Sequence, residues 1–292
     1  MMHLLIDVGN SRLKICLFQT VDHVERASSL ANPSAESLQP IKDVVAIDLT
    51  QLEDQQSLPK CVQHLQLSAP KAIAGVWGVT VASAHFNELI ENQLACLGLT
   101  LQWLKPTRTL LGLHNHYVHP NQLGADRWAA AIGLHARFKT PRAPVILANF
   151  GTATTIDTVS AEPSFLGGLI LPGVDLMFES LARRTAQLPL AQGSAIEHPT
   201  DTDRAIVSGV LAAQLGALKH QYNVVKQQFN SAPIVCVSGG AWAKVEPAWS
   251  LHFQHTHWFA LPNIVLEGLA VVASSASSSP VSTPSNASLN SL

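Results

Sequence analysis

Two short segments share one pattern, and that pattern decides the fold: IDVGNS at Ile6–Ser11 and ANFGTATT at Ala148–Thr155. Each ends an apolar run, has Asp or Asn two residues before a glycine, carries small hydroxyl residues and leads into a second apolar run. The segments lie about half a chain apart. The sequence therefore predicts two similar halves, each opening with a strand, a tight turn and a second strand. A chance recurrence of a short turn pattern is the alternative.

Short apolar runs recur elsewhere and are usually followed by stretches with helical periodicity. Such mixing predicts an α/β fold in which helices cover sheets. The predicted strands are His3–Val8, Leu13–Phe18, Val45–Asp48, Ala72–Val81, Leu101–Leu104, Val145–Phe150 and Ile234–Val237, and the predicted helices are Asn87–Leu97, Gly124–Phe138, Leu176–Arg184, Thr202–Phe229 and Asn263–Val272.

Composition excludes several classes of protein. The 292 residues include 18 Lys+Arg and 20 Asp+Glu, with 13% charged and 47% hydrophobic residues and a net charge of −2. A disordered chain needs the opposite balance, and broad nucleic-acid binding needs a basic surface. No apolar run reaches the ~18 to 20 residues of a membrane helix, and the opening residues lack the basic and apolar regions of a signal peptide. We therefore expect a cytoplasmic protein with no membrane or nucleic-acid partner.

Two further features follow from composition. The four cysteines, Cys16, Cys61, Cys96 and Cys236, match no metal-site or disulfide spacing, and we interpret them as buried thiols in a reducing cytoplasm. Residues 273–292 are mostly Ser, Ala, Pro and Asn, without charge or aromatic rings. Because such a segment cannot offset chain entropy by apolar burial, we predict a disordered C-terminal tail.

The first turn has the residue types of a phosphate site. Gly9 permits positive φ and close backbone approach, while Asn10 and Ser11 can direct amides and hydroxyls toward phosphate oxygens. Lys14 adds a cation, and Asp7 can hold Mg²⁺ through water, because Mg²⁺ favours few carboxylates together with phosphates. An ordinary hairpin turn is the alternative for this segment taken alone.

Two later segments strengthen the phosphate interpretation. Gly151–Thr155 packs three hydroxyls beside a glycine, and Ser238–Gly240 places paired glycines at the end of a predicted strand. Paired glycines let the backbone lie close to a flat ligand. Neither segment matches the P-loop or the dinucleotide fingerprint. Together the three segments predict a nucleotide held between two domains.

Six motifs occur in order along the chain: DVGNSRLK at Asp7–Lys14, YVHPNQLGADR at Tyr117–Arg127, FGTATTID at Phe150–Asp157, GGLILPG at Gly167–Gly173, TAQLP at Thr185–Pro189 and SGG at Ser238–Gly240. Together they resemble the type III pantothenate kinases, within the acetate and sugar kinase, Hsp70 and actin superfamily. The resemblance covers about residues 3–272 and implies two RNase H-like (actin-like ATPase) domains with mixed β-sheets flanked by helices. The expected division is 1–122 with the first phosphate loop, 123–272 with the second phosphate loop and the adenosine motif, and 273–292 as the tail.

The resemblance also implies a reaction and its participants. The reaction is ATP-dependent phosphorylation of pantothenate, the first step of coenzyme A biosynthesis, by a homodimer whose active site lies near the subunit interface. It uses Mg²⁺ with ATP and a monovalent cation, K⁺ or NH₄⁺. The resemblance assigns pantothenate to Tyr117, Gly124, Ala125, Asp126, Arg127 and Thr185, with Asp126 as catalytic base, and ATP to Asp7, Val8, Gly9, Asn10, Ser11, Arg12, Leu13, Lys14 and Thr152.

The local sequence agrees with these roles for Asp126 and Arg127. Asp126 falls in the first turn of a predicted apolar helix, where the helix dipole favours an ionised carboxylate. An ionised Asp can accept the proton of a primary alcohol, and Arg127 can bind the pantothenate carboxylate by two parallel hydrogen bonds. The alternative is that Asp126 only caps the helix and Arg127 makes a surface ion pair.

The chain departs from the family pattern at Asn149. The family usually has aspartate at this position, where it helps bind the monovalent cation. An amide oxygen can still ligate K⁺, but the formal charge is lost. We therefore expect weaker dependence on K⁺ or NH₄⁺ than is usual in the family. Asp157 is retained near the same motif.

Two other functions stay open from the sequence. One is a nucleotide-binding accessory or regulatory protein of the same family that has lost catalysis, which Asn149 allows and Asp126 disfavours. The other is a sugar or acetate kinase of the same superfamily, which would need an acceptor pocket different from Tyr117–Arg127 and Thr185.

Overall fold

The computed structural model describes residues 1–20, 41–69, 71–138, 143–185, 187–253 and 256–278. These residues form two mixed β-sheets, of five and seven strands, flanked by helices. The predicted fold class is confirmed. Among the described helices, none is both long enough and apolar enough to cross a membrane.

The first sheet comes from the N-terminal part of the chain. Its strand order is β3-β2-β1-β4-β5, with β1–β2 and β2–β3 antiparallel and β1–β4 and β4–β5 parallel. The elements are β1 (Met2–Val8), β2 (Arg12–Gln19), β3 (Val45–Asp48), α1 (Ser57–Ser68), β4 (Ile73–Thr80), α2 (Ala84–Ala95) and β5 (Leu101–Trp103).

The second sheet follows along the chain, with the strand order β12-β11-β8-β9-β10-β7-β6. Long helices connect its strands. The elements are β6 (Thr109–Leu110), β7 (Leu113–Asn115), α3 (Ala125–Arg137), β8 (Val145–Phe150), β9 (Ala153–Val159), β10 (Ser164–Pro172), α4 (Val174–Arg184), α5 (Thr202–Phe229), β11 (Ile234–Ser238), α6 (Trp242–Val245), α7 (Trp249–His252), β12 (Trp258–Ala260) and α8 (Ile264–Ser278).

The two sheets contain the same five-stranded unit. In the second sheet, β10-β9-β8-β11-β12 repeats the order and the strand directions of β3-β2-β1-β4-β5. β8 therefore corresponds to β1 and β9 to β2, and the two turns noted in the sequence close equivalent hairpins. The prediction of two similar halves is confirmed.

Strands β6 and β7 extend the second sheet, because β7 pairs with β10 and β6 pairs with β7. Both strands precede residue 123 in the chain. The chain thus changes sheets between Trp103 and Thr109. Sheet membership changes ahead of the expected domain boundary at residues 122 and 123, which stays a prediction.

Helices α3 and α8 pack against each other at close range, and α3 contacts both sheets, through β4 and β9. A Cβ atom on Gly268 would lie 1.8 Å from the carbonyl oxygen of Ala129, and one on Gly133 would lie 2.7 Å from that of Ile264. The two glycines therefore let the helix backbones touch. This packing fixes the N-terminus of α3 relative to both sheets.

The disordered tail was predicted to begin at residue 273, and this predicted start is wrong. Residues 273–278 continue helix α8, with Ala273 fully buried and the Ser277 hydroxyl 3.0 Å from Nε2 of His3. The serines of this turn donate their hydroxyls to carbonyls of the preceding turn, at Ala270, Val272 and Ala273. Such local bonds, with small side chains that pack closely, let a low-hydrophobicity segment stay helical. Residues 279–292 lie outside the described residues.

The prediction that all four cysteines are buried is correct for two of them. Cys16 and Cys236 are buried, Cys61 is partly buried and Cys96 is exposed. Burial raises the pKa of Cys16 and of Cys236 to about 12, so both stay as thiols that pack like small apolar groups.

Candidate active site

The turns of the two equivalent hairpins meet. Ser11 Oγ, in the turn between β1 and β2, lies 3.4 Å from Thr152 Oγ1, in the turn between β8 and β9. Lys14 Nζ donates a hydrogen bond of 3.4 Å to the carbonyl of Pro262, which precedes α8. The two predicted phosphate turns are thus brought together from distant parts of the chain.

The first turn is closed by its backbone. The Gly9 N–H donates to the Arg12 carbonyl at 2.9 Å, and a Cβ on Gly9 would lie 3.3 Å from the same oxygen. The φ angle of Gly9 is not positive, so the expectation of left-handed backbone is wrong and close approach explains the glycine. Asn10, Ser11 and Arg12 are exposed, whereas Val8 and Leu13 are buried and can reach a ligand only through their backbone.

Asp7 stands opposite Lys14 in the β1–β2 pair. Burial raises the pKa of Asp7 to about 6, the Lys14 ammonium opposes this rise, and Asp126 adds to it. A carboxylate of the first half therefore lies close enough to Asp126, on α3, for the two charges to repel each other.

The second turn is enclosed by α4. The N–H of Gly173, just before α4, donates to the Thr152 carbonyl at 3.0 Å. A Cβ on Gly173 would lie 2.3 Å from the carbonyl oxygen of Gly151, so only glycine fits. Thr152 is exposed, but Thr154 and Thr155 are buried in β9. Of the three hydroxyls expected at a phosphate, only that of Thr152 faces solvent.

The SGG motif lies beside the second turn. Gly239 has a φ of +93°, and a Cβ there would lie 2.2 Å from the Phe150 carbonyl oxygen. The same oxygen accepts a 3.0 Å bond from the N–H of Ala241. Next to this contact the ring of Trp242 lies 5.4 Å from that of Phe150, centroid to centroid. The expected close backbone approach is therefore made to the neighbouring strand β8.

Asp126 occupies the first turn of α3, behind Gly124. Its Oδ1 accepts a 2.8 Å bond from the Arg127 N–H, and a Cβ on Gly124 would lie 2.7 Å from that oxygen. Burial raises the pKa of Asp126, although the N–H and the guanidinium of Arg127 oppose the rise. The expectation that the helix terminus would favour ionisation was incomplete, because desolvation is the larger influence.

Arg127 is buried and binds two side chains. Its Nε donates to both carboxylate oxygens of Asp157 at 3.1 Å, its Nη2 donates to Asp157 Oδ1 at 2.5 Å, and its Nη1 donates to the Tyr117 hydroxyl at 2.8 Å. The Arg127 and Asp157 side chains are 7% and 3% exposed, so the alternative of a surface ion pair is wrong. Burial lowers the pKa of Arg127, but Asp157 and Tyr117 outweigh burial and raise it, so the guanidinium stays protonated.

The segment that carries Tyr117 is held by two residues that the sequence did not reveal. Arg108 donates to the carbonyls of Asn115 and Tyr117 at 2.8 Å and to that of Val118 at 3.0 Å. The Asn115 side chain accepts from the Tyr117 N–H at 3.0 Å. No local pattern marks these residues, because the carbonyls converge only after the chain has folded.

Thr185 and Asn149 have local contacts. Thr185, at the end of α4, donates to the Leu181 carbonyl at 2.8 Å and accepts from the Leu188 N–H at 3.3 Å. Asn149 pairs in register with Thr155 of β9, and Ser238 of β11 lies on its other side. The roles expected for both residues remain predictions.

The donor chemistry suits a phosphate-bound metal better than a metal held by the protein alone. The described residues contain no group of three or more His, Cys, Asp or Glu arranged to hold a metal ion. Two carboxylates lie beside the first predicted phosphate turn: Asp48, which is paired with Arg12 at 3.0 Å, and Asp7, which stands opposite Lys14. That set fits Mg²⁺, which takes most of its ligands from phosphate and water.

A mainly apolar cavity of about 830 Å³ lies between α4 and α5, with Leu181 and Ile206 among its lining residues. None of the residues expected to bind ATP or pantothenate lines it. The same part of the chain exposes Ile170, Leu176 and Leu190 by 63%, 47% and 60%. This surface is therefore apolar and distinct from the cluster around Asp126.

Comparison with known proteins identifies the family. The family model for type III pantothenate kinase matches residues 3–224. This chain belongs to the type III pantothenate kinase family. The type III pantothenate kinase of Bordetella pertussis is 37% identical over 283 residues, covering 93% of this chain and 97% of the relative. That of Janthinobacterium sp. (strain Marseille) is 45% identical over 194 residues, covering 64% and 72%.

Solved structures agree on the fold. The chain is similar to a Campylobacter jejuni protein described as a Baf family transcriptional activator, with a TM-score of 0.54, 18% identity and coverage of 94% and 98%. It is also similar to the activator of 2-hydroxyisocaproyl-CoA dehydratase from Clostridium difficile with bound ADPNP, with a TM-score of 0.50, 10% identity and coverage of 94% and 95%. At these identities the likeness concerns the fold alone.

Proposed function

We propose that this protein phosphorylates pantothenate to 4'-phosphopantothenate with ATP, the first step of coenzyme A biosynthesis. The family match over residues 3–224 carries the proposal. The site is consistent with it, since the two hairpin turns meet and the carboxylate of Asp126, at the start of α3, acts electrostatically on Asp7 beside the first turn.

In the proposed reaction Asp126 is the general base. One of its oxygens accepts the Arg127 N–H, and the other takes the proton of the pantothenate hydroxyl. As the hydroxyl oxygen bonds to the γ-phosphorus, the bond from that phosphorus to the β,γ-bridging oxygen breaks and ADP leaves. In a loose phosphoryl-transfer transition state, orienting the hydroxyl supplies much of the benefit. A pKa raised by burial makes Asp126 a stronger base than an exposed aspartate.

The triphosphate lies, in this proposal, between the two hairpin turns. Asn10 and Ser11 from the first turn and Thr152 from the second present exposed polar groups, and Lys14 supplies a positive charge. Mg²⁺, when bound, neutralises charge on the phosphates. Asp7 would hold that ion through water.

Pantothenate is assigned to Tyr117, Thr185 and the segment 124–127. A guanidinium has five N–H donors, and Asp157 and Tyr117 occupy three of those of Arg127. One N–H on each terminal nitrogen remains for the pantothenate carboxylate. The Arg127 guanidinium is thus held rigidly and still has two donors for the substrate.

Further properties belong to the same proposal. Asn149 offers an amide oxygen without charge. K⁺ or NH₄⁺ should therefore stimulate this enzyme less than they stimulate its relatives. The apolar surface with Ile170, Leu176 and Leu190 supports a homodimer. We place the reaction in the cytoplasm, where ATP is available.

The test is an assay of the purified protein with MgATP, K⁺ and pantothenate, in which ADP and phosphopantothenate are followed together. We expect stoichiometric formation of both products, and loss of both in Asp126→Asn. ATP binding without product, with and without K⁺, would overturn the kinase proposal and favour a catalytically lapsed accessory protein.

A further inference from the structure

Two carboxylates, those of Asp126 on α3 and Asp157 on β9, lie near the buried guanidinium of Arg127. Its ion pair among the described residues is with Asp157, through Nε and Nη2. Asp126 accepts the backbone N–H of Arg127, and its hydrogen bonds are to backbone N–H groups rather than to the guanidinium. The structure therefore assigns the arginine to the carboxylate that is 30 residues away in sequence rather than to its neighbour.

We propose that Asp157 is a positioning residue that holds the Arg127 guanidinium away from Asp126. Asp126 then keeps a carboxylate oxygen for the acceptor hydroxyl, and the guanidinium keeps its two remaining donors for the acceptor carboxylate. This inference rests on the proposed function, because it concerns the base and the acceptor site of that reaction. Asp157 itself contacts neither substrate.

The fold reserves space for the Asp157 carboxylate. Gly168 pairs with Asp157 across β9 and β10, and a Cβ there would lie 2.2 Å from the Ile156 carbonyl oxygen and 2.4 Å from Asp157 Oδ1. The register shifts between Phe165 and Gly167, and Gly167 has a φ of +110°, with Tyr117 as the nearest side chain to a Cβ there. A bulge disrupts the ladder of hydrogen bonds, and glycines inside a strand weaken it further. Here the bulge makes room for the carboxylate and the tyrosine ring that hold Arg127.

The electrostatic consequence can be worked out from the groups that face Asp126. They are Asp7 from β1, Asp157 from β9 and Arg127 from its own helix, with Lys14 acting on Asp7. Neutralising Asp157 removes a negative charge near Asp126 and releases a buried cation. A buried cation without its partner is costly, so the guanidinium should turn to Asp126, the remaining carboxylate. The pKa of the Asp126 carboxyl would then be lower, so Asp126 would be a weaker base. The guanidinium would also occupy part of its hydrogen-bonding capacity.

The kinetic test uses Asp157→Asn. We expect the KM for pantothenate to rise about tenfold or more, as for loss of a charge-assisted contact, with the KM for ATP unchanged within about twofold. The acid limb of the kcat profile should move to lower pH. The matched control is Asp54→Asn, which removes an exposed carboxylate paired with Lys60 and should leave all three quantities unchanged.

A double variant separates positioning from simple destabilisation. In Arg127→Gln/Asp157→Asn no guanidinium is left to occupy Asp126, so the acid limb should return toward the wild-type position although pantothenate still binds weakly. A role of Asp157 in folding alone would lower stability and active fraction, leaving the acid limb and both KM values of the folded fraction unchanged. That result would overturn the inference.

Direct titration decides the inference without relying on activity. The Asp126 carboxyl ¹³C signal, identified by its loss in Asp126→Asn, should titrate at lower pH in Asp157→Asn than in the wild type. In the wild type, which needs no Asp157 variant to fold, the Arg127 Nε resonance should not follow the titration of Asp126. If it follows, the guanidinium is shared and the inference is wrong. A wild type that makes no phosphopantothenate but shows these titrations would overturn the proposed function and leave the positioning role standing.

Discussion

The two hairpin turns are equivalent in topology and different in chemistry. In the first, Asp7 pairs in register with Lys14; in the second, the corresponding pair is Asn149 and Thr155. This register pair therefore carries two opposite charges in the first hairpin and no charge in the second. Duplicated topology has thus kept the same hairpin at both places, while the charged register pair occurs only in the first.

The turns also differ in how tightly they are packed. A Cβ on Gly9 would lie 3.3 Å from the Arg12 carbonyl oxygen, a tight contact, whereas Cβ atoms on Gly173 and Gly239 would clash, at 2.3 and 2.2 Å from backbone oxygens of the second turn and its strand. The first turn exposes the side chains of Asn10, Ser11 and Arg12, whereas the second turn is packed on two sides. We infer that the second turn acts mainly through a rigid backbone and the first through its side chains.

The largest effect is expected at Asp126, which interacts with the first turn through Asp7 and is fixed to both sheets by α3. Asp126→Asn should lower kcat by about 10² to 10⁴-fold, because an amide cannot accept the hydroxyl proton. Steady-state kinetics with thermal unfolding measure this loss. Activity within about tenfold of the wild type would show that Asp126 is not the base.

The second-largest effect is expected on the free energy of unfolding, when glycines at the two turns are replaced by alanine. Gly239→Ala should lower the free energy of unfolding by about 2 kcal/mol or more, because the methyl group clashes with Phe150 and the positive φ disfavours alanine. Gly9→Ala should cost less than about 1 kcal/mol. Urea denaturation of both variants measures the difference, and equal losses would refute the contrast in packing.

Removal of a polar side chain should raise the KM for ATP more at the first turn than at the second. Lys14→Met should raise the KM for ATP about tenfold or more, since a contact to a charged group is lost, and Thr152→Val should raise it a few-fold, about the worth of a neutral hydrogen bond. Neither should change the KM for pantothenate. A larger effect at Thr152 would contradict the assignment of charge chemistry to the first turn.

The pH profile should report the carboxylate of the first turn. Burial raises the pKa of Asp7 to about 6, so protonation of Asp7 should reduce kcat/KM as the pH falls through about 6. Asp7→Asn removes one titrating group and a repulsive charge, so the remaining limb, from Asp126, should lie at lower pH. An unchanged limb would show that the two carboxylates do not interact.

The smallest effect is expected at Asn149. Asn149→Asp restores a formal charge to the second turn, so stimulation by K⁺ over a large organic cation should increase a few-fold, within the range of a single charged ligand. The assay compares both salts at equal ionic strength. A wild type that already requires K⁺ strongly would refute the expected weakening.

Much of the fold was predictable because hydrophobic patterning is local. Strands Val45–Asp48 and Val145–Phe150 and helix Thr202–Phe229 match their predicted bounds. Helix α1 was missed, although Leu58, Val62 and Leu65 form a buried stripe, because Pro59 and the exposed Leu67 obscure the helical pattern in the sequence. The last turn of α8 was missed because serine-rich composition does not reveal that the turn packs against β1.

The sequence by itself determined the repeated strand–turn–strand pattern, the order of the six motifs and the presence of Asp126 at the start of a helix. These are properties of neighbours along the chain, which periodicity and turn chemistry report directly. Only the tertiary structure decided that Arg127 pairs with Asp157, that Arg108 holds the Tyr117 segment and that burial raises the pKa of Asp126. Those outcomes depend on which distant groups share a low-dielectric interior, and that is fixed only when both sheets have packed around α3 and α8.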